Sequence, residues 1–178
     1  MEILKAQVEV ELPCILGEGS LWHPLQEKLY WVDIDQYRIY SYNPGTRKIS
    51  FTETSKPVSA LVPVNSTTML IALKDEIARF NTIDEKIESL IQVGKNMSDN
   101  RCYNGKCDPQ GRFWIGTMNV SALYGCGSLY HITQDLSMTK VLDQLTIANG
   151  MDWSPAGDKM YFMRPLQSKI IYNILLHN

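Results

Sequence analysis

Most of the short signatures that mark catalytic and redox proteins are missing from this chain. Its four cysteines, Cys14, Cys102, Cys107 and Cys126, form no C-x-x-C pair. That spacing speaks against a cysteine-zinc site and against a thioredoxin-like centre. The three histidines, His23, His131 and His177, stand far apart, with no H-E-x-x-H run; they read as structural or surface residues. There is no G-x-S-x-G elbow and no glycine-rich phosphate loop, which disfavours a serine hydrolase and a nucleotide enzyme. A net charge of −2 over 178 residues leaves no basic footprint for nucleic acid. No run approaches the ~18 apolar residues of a membrane span. Met1 to Gln7 lacks the basic and apolar regions of a signal peptide, so the thiols are expected to be reduced and the location cytoplasmic. Neither nucleic acid nor membrane is an expected partner.

Helical periodicity is nearly absent too. Residues 84–91 could mimic a short helix, but the surrounding pattern favours a strand. What the chain does have is short β-branched and aromatic runs between turn-forming clusters, the signature of an all-β protein. The alternation of Val8, Val10 and Leu12 with Glu9 and Glu11 predicts a leading strand over residues 1–16. Further strands are predicted at 29–34, 38–42 and 48–52, then at 58–63, 69–73, 77–80 and 87–91. Later ones fall at 113–115, 128–132, 138–142, 160–163 and 170–174.

Three stretches open alike: Gly19…Trp22-His23-Pro24…Leu29-Tyr30-Trp31; Gly105…Asp108-Pro109…Phe113-Trp114-Ile115; and Gly150…Trp153-Ser154-Pro155…Met160-Tyr161-Phe162. The units recur every ~40–50 residues, the range of four-stranded propeller blades. A β-sandwich is the alternative; the repeated opening favours a propeller. In the third unit, Asn100 to Cys107 reads as a polar approach to the sharp turn Asp108-Pro109-Gln110-Gly111 and the core strand after it. The length suits one domain, read as a single partial propeller over residues 1–178.

Glu18, between two glycines, reads either as a ligand for a hard cation or as a solvated turn residue. Asn149, before Gly150, is either an amide-oxygen ligand or half of a common turn. Arg101 could bond a sugar hydroxyl or carboxylate through its planar fork, or pair with Asp99 on the surface.

Three motifs carry a resemblance: Leu16-Gly17-Glu18-Gly19-Ser20-Leu21-Trp22; Arg101 with Asn104-Gly105-Lys106, Asp108-Pro109, Gly111-Arg112 and Gly116-Thr117-Met118; and Ala148-Asn149-Gly150-Met151-Asp152-Trp153-Ser154. In this order and at these distances they resemble the senescence-marker-protein / gluconolactonase / luciferin-regenerating family, the regucalcin-like lactonases. The resemblance covers nearly all of the chain, which corresponds to about three-fifths of the family's usual length. It implies an all-β, six-bladed β-propeller, here incomplete with about four blades. It implies one divalent cation (Ca, Zn, Mn or Mg) in the central channel and hydrolysis of a small-molecule sugar lactone. Glu18 and Asn149 would be metal ligands, and Arg101 would touch substrate. Tyr103 stands where the family has a substrate-contacting Asn, and Asn104 where it has Asp. Tyr103 would narrow the channel or stack on a sugar. The family's general-base Asp belongs to a segment beyond Asn178, so no catalytic residue is assigned here. The loop from Asn119 to Cys126 is shorter than the family's acidic one. The alternative function is a non-catalytic Ca-binding or vestigial propeller fragment.

Overall fold

A computed structural model describes residues 5–94, 99–164 and 169–175. Its fifteen strands follow one another as β1 (Gly17–His23), β2 (Lys28–Asp33), β3 (Arg38–Asn43), β4 (Lys48–Glu53), β5 (Val58–Pro63), β6 (Thr68–Leu73), β7 (Glu76–Asn81), β8 (Ile87–Gln92), β9 (Asn100–Cys107), β10 (Phe113–Asn119), β11 (Gly127–Ile132), β12 (Met138–Leu145), β13 (Asn149–Trp153), β14 (Lys159–Arg164) and β15 (Lys169–Leu175). They form three four-stranded sheets and one three-stranded sheet. Each is an antiparallel meander in chain order. The described residues contain no helix. This is an incomplete propeller of four blades.

Contacts between sheets run mainly through their first strands, β1 to β5, β5 to β9 and β9 to β13. Those strands are therefore innermost. Apolar side chains fill the layers between blades. Tyr30, Val32 and Ile39 of the first blade meet Val58, Leu61, Met69 and Ile71 of the second. Ile77 and Ala72 meet Phe113, Ile115 and Tyr130. Trp114 and Leu129 meet Met151, Met160 and Phe162. All seven residues of β10 are buried. That explains the apolar run Phe113-Trp114-Ile115 at its start, because a strand covered on both faces has no reason to alternate. Each large side chain so covered contributes about 1.5–3 kcal/mol.

The similar openings become similar turns. The residue before each proline accepts the turn hydrogen bond: Gln26 N to His23 O at 3.2 Å, Gly111 N to Asp108 O at 2.9 Å, Gly157 N to Ser154 O at 2.8 Å. Residues 87–92 are strand, not helix.

Two expectations are corrected. Residues 5–16 form no strand; the first begins at Gly17. The alternating pattern from Val8 to Leu12 has no ladder partner among the described residues, and a strand exists only by pairing. The segment instead lies against the first blade, where Tyr42 Oη donates to Glu9 Oε1 at 2.5 Å. Residues 1–4 lie outside the described residues. Secondly, the polar approach at Asn100 to Cys107 is itself a strand, β9, paired with β10 along its length. The four cysteines are free, His23 is buried and bonded to Asn65 O at 3.0 Å, and His177 lies outside the described residues.

Two buried carboxylates tie turns to strands. Asp33, at the end of β2, accepts from Ile15 N (2.7 Å), Leu16 N (3.1 Å) and Gln36 N (3.2 Å). Asp108 accepts from Trp114 Nε1 (2.8 Å), Arg112 Nε (2.6 Å), and the amides of Arg112 (2.9 Å) and Gln110 (3.0 Å). Burial alone would raise both carboxyls. The amide bonds to Asp33, and the Trp114 and Arg112 bonds to Asp108, outweigh it and hold both below the usual carboxylate range. A carboxyl depressed in the folded state contributes stability above its unfolded value of about 3.9 and loses it as pH falls through the folded value. The chain is therefore expected to melt at a markedly lower temperature below about pH 4 than at neutrality. Circular dichroism melts read this; equal melting temperatures at pH 3 and pH 7 would contradict it.

Candidate functional site

Every innermost strand carries an irregularity in its pairing. On β1, Glu18 pairs with Val32 and Leu21 with Tyr30, so Gly19 and Ser20 together oppose Trp31. On β5, Val58 pairs with Leu73 and Ala60 with Ala72, which leaves Ser59 over. On β9, Cys102 pairs with Thr117 and Gly105 with Ile115, so Tyr103 and Asn104 together oppose Gly116. On β13, Asn149 pairs with Met163 and Met151 with Phe162, which leaves Gly150 over. These are β-bulges, which bend a strand and re-aim side chains. Gly19 (φ 62°) and Gly150 (φ 70°) sit in the left-handed region that glycine enters without a Cβ penalty. Glu18 and Asn149 are thus the same element in two blades: an oxygen-bearing residue before a bulge glycine.

The bulge on β9 joins these positions. Asn104 Nδ2 donates to Asn149 Oδ1 at 3.1 Å, bridging the third and fourth blades. Tyr103 packs against the core between the first two blades. Desolvation raises its phenol's pKa, and the neighbouring Glu18 carboxylate raises it further. The Arg101 guanidinium lies over the Tyr103 ring, 5.0 Å from its centre. Arg101 Nη1 is buried and has no hydrogen-bond partner among the described residues. Glu18, Arg101, Tyr103 and Asn149 are all partly buried. A chain of neighbours, Glu18–Tyr103–Asn104–Asn149, therefore runs across three inner strands. Asp33 sets where it begins, because it fixes the backbone of Ile15 and Leu16 just ahead of β1.

Sequence reading did not single out Asn104, Asp33 or Ser59 for the site. Asn104 was legible only as a departure from a family pattern. Ser59 carries no glycine beside it, so the second blade lacks the mark that the other three share.

The donor chemistry is that of a hard cation. A carboxylate and an amide oxygen suit Ca²⁺, Mg²⁺ or Mn²⁺. Burial pushes the Cys102 thiol up to about 12 and the Cys107 thiol to about 11, so neither offers a thiolate near neutrality. Among the described residues no three His, Cys, Asp or Glu side chains gather as a metal cluster. Asn149 Oδ1 also accepts from Gly150 N at 2.8 Å. With the bond from Asn104 Nδ2, this occupies both lone pairs of the amide oxygen, so a hard ion at Asn149 would have to displace one of these two donors.

Comparison with known proteins gives a consistent answer. The family model described as SMP-30/Gluconolactonase/LRE-like region matches residues 16–174. The Bacillus subtilis (strain 168) protein named "Putative sugar lactone lactonase YvrE" is 30% identical over 172 residues, covering 96% of this chain and 59% of that one. Regucalcin of Xenopus laevis is 27% identical over 175 residues, covering 96% of this chain and 58% of that one. Among solved structures, a calcium-binding protein, regucalcin, from Agrobacterium tumefaciens str. C58 superposes with a TM-score of 0.89 at 25% identity, over 93% of this chain and 56% of that one. A luciferin-regenerating enzyme superposes with a TM-score of 0.83 at 30% identity, over 89% of this chain and 55% of that one. The chain thus spans 55% to 59% of the length of these relatives.

Proposed function

The chain belongs to the SMP-30/gluconolactonase/LRE-like family, and on that premise we propose that it carries part of a metal-dependent sugar-lactone hydrolase site on β1, β9 and β13. Glu18 and Asn149 serve as oxygen ligands of one divalent cation, and Arg101 and Tyr103 meet the substrate. The observation that carries this reading is the buried Arg101 Nη1, which has no partner among the described residues and lies beside the Tyr103 ring. A buried N–H without an acceptor costs about 1–3 kcal/mol, and a lactone oxygen supplies the missing acceptor. The planar guanidinium fork holds that oxygen as a positively charged donor. A bound divalent ion would supply Lewis-acid polarisation of the ester carbonyl. The reaction is hydrolysis. Water oxygen bonds to the carbonyl carbon, the ring C–O bond breaks, and a water proton passes to the leaving alkoxide oxygen, giving a hydroxy acid.

The test joins calorimetric titration of Ca²⁺ into the full chain with a lactonase assay in Ca²⁺, Mn²⁺ or Zn²⁺. Saturable binding that Glu18→Gln abolishes, together with a metal-dependent rate on gluconolactone, is the expected result. The absence of both saturable heat and a rate above buffer would end the proposal. A second reading, a non-catalytic Ca²⁺-binding propeller, is favoured by the bulk of Tyr103 beside Glu18. Binding without hydrolysis would select it.

A further inference from the structure

The connection between β10 and β11 has an unusual composition for a surface loop. From Phe113 to Tyr130 the sequence contains no charged residue. Within the loop, Val120 is 54% exposed, Leu123 56% and Tyr124 76%. Single exposed apolar residues are ordinary, whereas a cluster of large ones asks for an explanation.

The loop is also held in place. Its base is Asn119, whose Oδ1 accepts from Ser121 N at 2.9 Å and whose backbone oxygen accepts from Ala122 N at 2.8 Å. Ala122 takes a left-handed conformation, φ 52°, which closes the turn. Asn100 then clamps both ends. Its side-chain oxygen accepts from Asn119 Nδ2 at 3.3 Å, and its amide donates to Cys126 O at 2.5 Å. Asn100 immediately precedes Arg101, and Met118, two residues before the loop, pairs directly with Arg101. An apolar loop is thus fixed at the strand end that carries the unpartnered Arg101 Nη1 and the Tyr103 ring.

A ligand that meets both features has an acceptor oxygen at one end and a hydrocarbon body at the other. A polyhydroxylated ring suits the first and not the second, because its hydroxyls would lose water against Val120 and Leu123 without gaining partners. We propose that the β10–β11 loop is a specificity element selecting lactones that carry an apolar substituent over polyhydroxylated ones. This rests on the lactone-site reading above and narrows it.

The test compares γ-decalactone with ribono-γ-lactone, which share a ring and differ in its substituent. Binding to the full chain, with and without Ca²⁺, is read by saturation-transfer NMR and calorimetry, and hydrolysis is measured separately on the same samples. The decalactone is expected to bind roughly tenfold more tightly, within the range a few buried methylenes supply. The double variant Leu123→Ser/Tyr124→Ser is expected to erase that preference, with circular dichroism checking that the fold is retained. Equal or reversed affinities, no binding of either lactone, or a preference that survives the double variant would overturn the inference. Hydrolysis without alkyl preference overturns this inference and leaves the hydrolase reading standing; alkyl-selective binding without hydrolysis does the reverse.

Discussion

Replacing Asp108 by alanine is expected to cost the fold about 3–5 kcal/mol, the loss typical when one partner of a buried ion pair is removed. The Asp108 side chain is fully covered, and Arg112, its partner at 2.6 Å, is mostly so. The carboxylate also accepts from the buried Trp114 indole and from two turn amides. Alanine leaves the indole N–H without an acceptor in the layer between the third and fourth blades. It also frees the turn that aligns β9 with β10. A domain of this size has about 5–15 kcal/mol in hand, so the effect is a large share of the total. Asp108→Asn keeps an acceptor for Trp114 but loses the charge facing Arg112, and should fall between. Urea unfolding midpoints measure both. A loss under about 1 kcal/mol for alanine would show that water replaces the carboxylate at little cost.

The second large effect is expected at Gly116. A Cβ there would lie 2.5 Å from Ala148 Cβ and 2.7 Å from Ala148 O. Ala148 is fully buried and precedes Asn149. The new methyl group has no flexible neighbour to push aside; it must move backbone. Gly116→Ala is expected to destabilise by about 3 kcal/mol or more, at or beyond the upper end of ordinary overpacking. On the proposed metal reading it should also weaken Ca²⁺ binding, because the backbone displaced leads directly into Asn149. Gly116→Ala/Ala148→Gly removes the contact between methyl groups but keeps the contact with the carbonyl, so it should recover only part of the loss. A double-mutant cycle reads that coupling. If Gly116→Ala alone leaves the urea midpoint unchanged, the third and fourth blades do not pack as closely as described.

The blades were legible in the sequence where strands are covered on both faces. Leu29 to Ile34, Met69 to Leu73 and Phe113 to Ile115 are compact apolar runs, and the prolines at 24, 109 and 155 mark three equivalent turns. The innermost strands were harder to read. β9 is polar because it borders the axis, and Gly105 is small because Phe113 and Ala60 would crowd any Cβ there, at 2.8 Å and 3.0 Å. A bulge also breaks the period of two within such a strand, so the alternation signal is lost where the site residues sit. Val8 to Leu12 taught the opposite lesson, since a clean alternation forms no strand without a neighbour to pair with. Glu18, Arg101, Tyr103 and Asn149 drew attention through their motifs. Asn104 joins them only through a bond to a residue 45 positions away, which no local pattern encodes.

The four matching bulges have a consequence for how such a protein changes. The extra residue on each inner strand absorbs a shift of one position, so the pleat that meets the neighbouring blade keeps its phase. Altering what stands at Tyr103 or Asn104 therefore changes the innermost strand of the third blade while Cys102 and Ile115 stay seated. What the inner strands present and how the blades cohere can diverge independently over generations of substitution.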